Sequence, residues 1–490
     1  MNILWLTSES TPFAKTGGLA DVSGALPKAL AQRGHNISVF MPYFRQQIEP
    51  KNINFNGRID MFKVPTQYGC EWASVRILKI SPNLVYYFLE YDRFFDRPRL
   101  YDWDGKEYED NADRFIFFCR AAMEFAIFQK MKPDILHAND WHAAMSCVYL
   151  KSDFYREHPT YWNCRSVLTI HNIGYQGIFS KEKFELTGLS WDYFNYTCLE
   201  YHDCINLLHG GIMTADMVNA VSQTYSSEIQ SPQYGFSLET SLQHCASRGK
   251  LRGILNGIDD NEWNPQTDKF LPANFSVNDL KGKAICKTAL QRHFHLAERT
   301  DVPLFSTISR LADQKGLDVF ASGLEYLLSH FDYQFVMIGS GEANLENHFR
   351  YLAWKYPDKL AIYIGYASND IAHLTEAGAD FFVMPSRYEP CGLNQMYSMR
   401  YGTLPIVRHT GGLADSVINF GNENENATGF VFWDLTPMAL NNTIVWAADT
   451  WKNDHKSIIK MMKNAMNRNF SWNQTASDYE RMYQDAHLSV

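Results

Sequence analysis

Short apolar runs that alternate with amphipathic helical patterns constrain the fold of this chain more than any other feature. An apolar run at 2–7, NILWLT, precedes a helical pattern at 22–30 with its apolar residues on one face, and a second run, ISVFMP, follows at 37–42. This order is typical of a βαβ unit. Further apolar runs, each ending in polar residues, lie at 133–140, 166–172 and 217–222. Since the strands of a buried parallel sheet have this pattern, we predict such a sheet in the first half of the chain.

The same alternation restarts in the second half of the chain. Apolar runs lie at 304–310, 334–339, 361–366, 380–386 and 403–412. Because 490 residues are too many for one ordinary core, we predict two doubly wound domains, at 1–252 and 266–468. The segment 253–265 supplies Asn, Gly, Asp and Pro for turns and is the predicted hinge. A last helical segment at 469–490 could pack anywhere, including back on the N-terminal domain.

Charge and cysteine content argue against several classes of function. The net charge is −9, from 45 basic and 54 acidic residues, which gives no general attraction for nucleic acid or an anionic membrane. The nine cysteines form no CxxC pair and no His-Cys cluster, so neither a disulfide framework nor a zinc site is expected, and a reducing cytoplasm fits best. The start lacks a basic n-region and no 18 apolar residues follow one another, so neither secretion nor membrane insertion is expected.

Polar residues that follow the predicted strands mark a candidate site in the first half of the chain. They are His137, Asp140, His142 and His171. Ligands of open parallel sheets gather at the carboxyl ends of the strands, so these side chains are placed where chemistry usually occurs.

One octet occurs in nearly the same form in both predicted domains. KTGGLADV at 15–22 and HTGGLADS at 409–416 share a Thr-Gly-Gly turn. Paired glycines allow positive φ and let the backbone pass close to a ligand, and the residues that follow can open a helix. The alternative is that both are plain helix-entry turns. The match favours two turns that line opposite walls of one cleft.

Seven motifs, in order along the whole chain, resemble those of one known family, the bacterial glycogen synthases and plant starch synthases of glycosyltransferase family 5. They are KTGGLADV at 15–22, HANDWHAA at 137–144, IHNIGYQG at 170–177, GILNGIDDNEWNP at 253–265, ISRLADQKGLD at 308–318, PSRYEPCGLNQ at 385–395 and RHTGGLADSV at 408–417. The resemblance implies an α/β protein of the GT-B fold, with two doubly wound Rossmann-like domains facing across a deep cleft. It further implies a retaining transfer of glucose from ADP-glucose to the non-reducing end of an α-1,4-glucan, with release of ADP.

The resemblance also implies roles for the charged residues. Arg310 and Lys315, at the start of a predicted helix, would neutralise the diphosphate leaving group, and Lys15 would bring a matching cation from the first domain when the domains close. Glu389 is the carboxylate beside the oxocarbenium-like glucose. Many retaining GT-B enzymes carry a second Glu eight positions later, but here, as in glycogen synthases, that position differs and holds Tyr397. We therefore expect front-face attack with the phosphate as proton acceptor.

Further site residues are transferred from the same motifs. His171 would contact the donor glucose, Asp140 would add polarity to the acceptor or sugar site, and Trp141 is as readily explained by packing. Tyr366 would stack on adenine, and the amides of Gly411, Gly412 and Leu413 would cradle a phosphate. The predicted substrate-binding positions are Glu9, Gly17, Gly18, Asp21, Tyr101, Asn256, Tyr366, Cys391, Gly392, Leu393, Thr410, Gly411 and Gly412.

Three motifs are interpreted as non-functional or left open. DWD at 102–104 resembles a manganese-binding pattern but is predicted to be a solvated loop, so we expect no metal and no cofactor besides the donor substrate. GSGEAN at 339–344 lacks the third glycine of a dinucleotide fingerprint. His209 stands where the family usually has Lys, and its role stays open.

Two alternatives to a glucan synthase remain at this point. One is a nucleotide-sugar epimerase of similar fold, and the other is a catalytically silent glucan-binding or priming protein. The expected location is the bacterial cytoplasm, or a plastid for a processed plant or algal enzyme. Whether the product is glycogen or starch is open.

Overall fold

The chain divides into two compact units. The computed structural model describes residues 1–421 and 425–488. The first unit comprises Met1–Asn256 and the C-terminal stretch from Trp472, and the second comprises Gly257–Ser471. The predicted hinge, 253–265, contains the point where the first unit ends. The last two residues of the predicted segment 469–490 lie outside the described residues.

The first unit contains a nine-stranded sheet and two small accessory sheets. Its strands are β1 Asn2–Leu6, β2 Asn36–Pro42, β3 Gly57–Thr66, β4 Gly69–Ser81, β5 Leu84–Glu90, β6 Asp102–Trp103, β7 Lys106–Glu107, β8 Ile135–Asn139, β9 Arg165–Ile170, β10 Ile178–Ser180, β11 Glu200–Tyr201, β12 Cys204–Asn206, β13 Met217–Ala220 and β14 Leu251–Gly253. Its helices up to residue 256 are α1 Gly18–Gln32, α2 Arg45–Ile48, α3 Asp92–Phe95, α4 Asn111–Phe128, α5 Asp140–Lys151, α6 Leu207–Thr214, α7 Gln223–Glu228 and α8 Glu239–Ser247.

The main sheet has the order β14-β13-β9-β8-β1-β2-β5-β4-β3. The strands from β14 to β5 are parallel, whereas β4 and β3 add an antiparallel hairpin at one edge. From β1 the chain runs outward through β2 and β5, and from β8 it runs the other way through β9 and β13. The direction therefore reverses between β1 and β8, and the loops after these two strands open at the crevice where such folds bind ligands.

The second unit contains one parallel six-stranded sheet. Its strands are β15 Leu304–Ile308, β16 Gln334–Gly339, β17 Leu360–Ile364, β18 Phe381–Met384, β19 Leu404–Arg408 and β20 Phe430–Phe432. Its helices are α9 Lys281–His293, α10 Leu317–His330, α11 Ala343–Lys355, α12 Asn369–Gly378, α13 Asn394–Arg400, α14 Gly411–Ser416, α15 Pro437–Asn453 and α16 His455–Met466. The core of this sheet includes Phe305, which stacks on Phe335 and Phe381 of the neighbouring strands at centroid distances of 5.0 and 5.1 Å.

The order of this sheet, β17-β16-β15-β18-β19-β20, also reverses at its centre. The chain runs from β15 toward β17 and from β18 toward β20, so the loops after β15 and β18 emerge side by side at the carboxyl edge. These two loops carry Arg310, Lys315 and Glu389. Both sheets are doubly wound, and the predicted fold class is confirmed.

The last helix, α17 Trp472–Leu488, belongs to the first unit. Arg33, which follows α1, binds Glu480 with two hydrogen bonds of 2.8 and 2.6 Å, and His35 Nε2 lies 2.9 Å from the same carboxylate. In the described parts of the chain, no helix combines the length and the apolar character needed to cross a membrane.

Candidate active site

Glu9 organises the loop after β1 in the first unit. Its buried carboxylate accepts hydrogen bonds from the Thr16 hydroxyl at 2.6 Å and from the backbone N–H groups of Thr16 and Gly17. The Tyr101 hydroxyl donates to it at 2.7 Å. Burial raises the pKa of Glu9 although these bonds oppose the rise. Glu9 therefore fixes the first Thr-Gly-Gly turn, and Tyr101 in turn holds Glu9.

No contact inside the first unit explains why glycine occupies positions 17 and 18. Gly17 is extended (φ −152°), and a Cβ added at Gly17 or Gly18 would meet no atom of the protein within 4 Å. Beside them the half-exposed Lys15 ammonium lies 2.7 Å from the Asp21 carboxylate. Neither the extended backbone of Gly17 nor packing at either position requires glycine, and close approach of a substrate stays a prediction.

Asp140 and His171 meet at the ends of β8 and β9. Asp140 begins α5 with φ +54°, a left-handed conformation that is uncommon for residues other than glycine. Its Oδ1 accepts the backbone N–H of His171 at 2.7 Å, and His171 Nε2 lies 3.0 Å from Asn139 Oδ1. Burial raises the pKa of Asp140 to about 7 and lowers that of His171 to about 3. The His171 imidazole is therefore neutral at physiological pH and suited to hydrogen bonding rather than to charge.

His137 does not belong to this group, which corrects the expectation from sequence. It lies in the middle of β8 and is fully buried. Its Nδ1 lies 2.7 Å from the Tyr483 hydroxyl of α17, its Nε2 lies 2.8 Å from the Thr169 hydroxyl, and its ring contacts Trp5 at 4.0 Å. Both ring nitrogens are occupied by protein groups, so His137 attaches α17 to the sheet.

Trp141 and His142 are packing residues by their contacts. The Trp141 ring packs on Phe115 at 5.0 Å, and a Cβ added to Gly177, which has φ +64°, would collide with it. His142 stacks between the rings of Trp141 and Tyr101, at 4.1 and 4.5 Å. Burial lowers the pKa of His142, which keeps its ring neutral. These contacts support the explanation that Trp141 is a packing residue.

In the second unit, Lys315 and Glu389 form a close ion pair where the sheet reverses. Lys315 Nζ lies 2.6 Å from Glu389 Oε2, and the Ser386 hydroxyl donates to the same oxygen at 3.0 Å. The Glu389 side chain is 6% exposed and that of Lys315 is 20% exposed. Arg310 is exposed, and its hydrogen bond to Gln314 is long, at 3.5 Å. The pair and the nearby guanidinium thus place two cations and one carboxylate on adjacent loops.

The helix start near Lys315 differs from the prediction. Lys315 ends a 3-10 turn, Asp313–Lys315, and α10 begins only at Leu317. In the first turn of α10, the Val319 N–H donates to the Gly316 carbonyl at 3.1 Å. Phosphate binding at this helix start stays a prediction.

The second octet has glycines for reasons that the first octet does not share. Gly411 has φ +43°, which favours glycine, and a Cβ added at Gly412 would collide with the backbone of Cys391. Both glycines are buried. The two octets are alike in sequence, but here glycine is required by backbone conformation and by the close approach of another loop.

Two amides of the predicted phosphate cradle in this second octet have partners inside the unit. The Gly412 N–H donates to the Glu389 carbonyl at 3.0 Å, and the Leu413 N–H donates to the Thr410 carbonyl at 3.1 Å. The bond from Gly412 holds the loop that carries Glu389. Phosphate binding at this turn stays a prediction.

The other predicted binding positions lie near the ends of their strands or helices. Cys391, Gly392 and Leu393 lead from Glu389 into α13, and Gly392 has φ +71°. Tyr366 follows β17 and is 84% exposed. Asn256 is buried, and its Oδ1 has no hydrogen-bond partner among the described residues. Their binding of substrate stays a prediction.

Tyr397, at the position where many related enzymes have a second Glu, has a packing role. Its ring stacks on Trp263 at a centroid distance of 3.8 Å and an angle of 12°, and Trp263 stacks on His373 at 4.0 Å on its other face. Tyr397 therefore supplies no carboxylate at this position, and front-face attack stays a prediction.

The discounted motifs also have structural explanations. Asp102 pairs with Arg99 at 3.4 Å in the short β6–β7 hairpin. Across residues 1–421 and 425–488, no group of three His, Cys, Asp or Glu side chains is arranged to hold a metal ion. His209 lies 2.9 Å from the Tyr196 carbonyl and 3.1 Å from the Ser241 hydroxyl, so both of its ring nitrogens have protein partners.

Comparisons with known proteins cover the chain from end to end. A family model described as the starch synthase catalytic domain matches residues 2–244, and one described as glycosyl transferases group 1 matches residues 290–489. Glycogen synthase 1 of Geobacter sulfurreducens is 44% identical over 485 residues, which are 99% of this chain and 96% of that protein. Glycogen synthase of Bacillus subtilis is 39% identical over 99% of this chain and 98% of its own length.

Two solved structures have similar folds. The catalytic domain of starch synthase IV from Arabidopsis thaliana, bound to ADP and acarbose, superposes with a TM-score of 0.89 at 30% identity and covers 99% of both chains. Sucrose-phosphate synthase from Thermosynechococcus elongatus superposes with a TM-score of 0.60 at 17% identity, over 99% of this chain and 98% of the other, which shows a shared fold alone.

Proposed function

The chain belongs to the family of glycogen and starch synthases, glycosyltransferases that elongate glucans, and we propose that its donor is ADP-glucose and its acceptor the non-reducing end of an α-1,4-glucan. The relative whose structure contains ADP and acarbose supports an adenine nucleotide and an α-glucan as ligands. The Lys315–Glu389 pair carries the proposal, because it combines a cation for a departing phosphate with a carboxylate for a sugar.

The second unit would bind the donor. Departing ADP carries negative charge, and cations that are already in place stabilise the transition state in which this charge develops. Lys315 is held by Glu389, and the exposed Arg310 lies on the same loop after β15. The hydrogen bonds that the Glu389 carboxylate accepts from Lys315 and from Ser386 are both made to Oε2. Its Oε1 is the atom we assign to a hydroxyl of the donor glucose.

The proposed transfer proceeds on one face of the glucose. The bond between C1 and the phosphate oxygen breaks as the acceptor O4 bonds to C1, and the hydroxyl proton passes to the departing phosphate. The configuration at C1 is thereby retained without a covalent enzyme intermediate. The stacked Tyr397 supports this route, because it replaces the second carboxylate that a double displacement would use.

In the first unit, the groups around Glu9 and Asp140 would bind sugar. The turn held by Glu9 carries Lys15, and the backbone at Gly17 is open to a close approach. The neutral imidazole of His171 would hydrogen-bond the donor glucose. We assign Asp140 to the same polar surface, where its carboxylate already positions the loop of His171.

We also propose that the reaction needs no metal ion or other cofactor, since Lys315 and Arg310 would neutralise the diphosphate. A cytoplasmic location is proposed as well. It rests on the sequence, in which the nine cysteines form no CxxC pair.

The proposal is tested by product analysis. Purified protein is mixed with a maltooligosaccharide and either ADP-glucose or UDP-glucose, and chain length is followed by mass spectrometry while proton NMR reports the anomeric configuration of the new bond. We expect extension by single glucose units, α-linked, with ADP-glucose preferred. A glucan that is bound but not extended would favour a silent binding protein, and conversion of the donor without any acceptor would favour an epimerase.

A further inference from the structure

The distance between Lys315 and Glu389 is set by two loops from different strands. Lys315 follows β15 and Glu389 follows β18, 74 residues later in the chain. An ammonium and a carboxylate on independent flexible loops would share one geometry only part of the time. A device that joins the loops is therefore needed to hold the two groups at 2.6 Å.

Arg387 joins these loops through its side chain. Its Nη1 and Nη2 donate to Oδ1 and Oδ2 of Asp318 in α10, each at 2.6 Å, so the planar guanidinium and the carboxylate form a two-point contact. Its Nη1 also donates to the Asp313 carbonyl at 2.8 Å. Asp313 and Asp318 lie on either side of Lys315, whereas Arg387 lies two residues before Glu389.

The backbone reinforces the same junction. The Arg387 N–H donates to the Gln314 carbonyl at 2.9 Å, and the Gln314 side chain reaches the Tyr388 carbonyl at 3.4 Å. Gly316, at φ +63°, lies so close to Pro385 that an added Cβ would collide with the Pro385 carbonyl. The hydrogen bond from Arg387 also holds the pKa of Asp318 below its ordinary value, so this carboxylate stays charged at physiological pH.

We propose that Arg387 is a positioning residue of the donor site: by tying the Glu389 loop to the turn that carries Lys315, it sets the approach of the ammonium to the carboxylate. Arg387 touches neither group and acts through the two loops. This inference rests on the proposed function for the role of Lys315, but it makes a separate claim, namely that the effects of Arg387 and Lys315 on the site are coupled.

The test is a double-mutant cycle on the full-length protein. Arg387→Ala, Lys315→Ala and the double variant are compared with wild type for glycogen-dependent turnover and for the Kd of ADP by calorimetry. Arg387→Lys keeps the charge but loses the two-point contact and is not expected to rescue. The control is Arg299→Ala, alone and with Lys315→Ala. Arg299 also bridges two carboxylates of the second unit, Asp301 at 2.6 Å and Asp332 at 2.7 Å, and has no part in the donor site.

Coupling is the expected result. A misplacement of about 1 Å reduces turnover roughly 10²-fold, so Arg387→Ala should lower kcat by about that factor with little change in the KM for glycogen. Residues that act as a unit are not additive, so the double variant should be no more than about threefold worse than Lys315→Ala. Arg299→Ala should combine with Lys315→Ala additively.

If the double variant lost turnover by the product of the two single losses, the inference would be overturned. Full recovery of turnover in Arg387→Lys would also overturn it. If Arg387→Ala does not fold, Asp318→Asn tests the same contact from the other side, with the same expected coupling. If wild type binds ADP but transfers no glucose, the transferase proposal fails, and the cycle is then read from the Kd of ADP alone.

Discussion

Replacing Lys315 by alanine should reduce both the stability of the second unit and its activity, and a second substitution should separate the two effects. At 2.6 Å the attraction between Lys315 and Glu389 is about 6 kcal/mol for an effective dielectric constant of about 20. Desolvation offsets part of this attraction. Removing one partner of a buried pair costs about 3–5 kcal/mol because the remaining buried charge then has no counter-charge. Since Lys315 is 20% exposed, we expect the lower end, about 3 kcal/mol.

The stability assay compares thermal unfolding of wild type, Lys315→Ala and Lys315→Ala/Glu389→Gln. The single variant should unfold several degrees lower, and the double variant should recover most of that loss because a neutral amide needs no cation. Turnover should fall about 10²- to 10³-fold in Lys315→Ala, as when one preorganised group for a developing charge is removed. The double variant should not recover turnover.

A matched control is Lys355→Ala in the same unit. Lys355 and Glu325 also lie 2.6 Å apart, but both are about 40% exposed, so their pair should contribute less than about 1 kcal/mol and turnover should not change. If Lys315→Ala is as stable as this control and keeps turnover within threefold of wild type, the assignment of Lys315 to the leaving group is refuted.

Three further predictions concern other parts of the site. Gly17→Ala should fold as stably as wild type yet lose turnover, whereas Gly412→Ala should lower the melting temperature, because only at Gly412 would the new methyl group collide with the protein; equal melting temperatures would contradict this. For Asp140, burial raises the pKa from 3.8 to about 7, so the stability from its bound proton is full below about pH 4 and lost as the pH rises to about 7. The melting temperature of Asp140→Asn relative to wild type should therefore increase from about pH 5 to pH 8, and a constant difference would contradict the shifted pKa. Turnover should survive dialysis against EDTA, and a loss restored by Mn²⁺ or Mg²⁺ would contradict the proposal that no metal is needed.

The fold was predictable because each of its main strands and helices has a local hydrophobic pattern in the sequence. Buried parallel strands read as continuous apolar runs, so both doubly wound sheets could be predicted from periodicity. The antiparallel β3–β4 hairpin was missed. Its strands are partly exposed, and in β3 burial alternates from residue to residue, with Met61 and Lys63 exposed and Phe62 and Val64 buried. Such a strand gives a weaker signal than a continuous apolar run.

The contacts within the site were less predictable than its residues. Asp318 and Arg387 lie in two of the seven motifs, at 308–318 and 385–395. Nothing in the sequence indicates that they pair across 69 residues. His137 was misplaced for a related reason. A polar residue near the end of an apolar run can equally be a core residue with two hydrogen-bond partners, and only packing distinguishes these cases.

The two glycine turns show the limit of local similarity. In the shared sequence Thr-Gly-Gly-Leu-Ala-Asp, a Cβ added at Gly18 would meet open space, whereas one added at its counterpart Gly412 would collide with Cys391. Two turns with the same sequence can therefore need glycine for different reasons, because the loops packed against them differ.

The most direct test of the account is ADP release by the purified protein from ADP-glucose, with and without glycogen, in wild type and Lys315→Ala. The account predicts release that depends on glycogen, is much weaker with UDP-glucose, and falls about 10²- to 10³-fold in the variant. Release that is independent of glycogen, or equal in the two proteins, would contradict it.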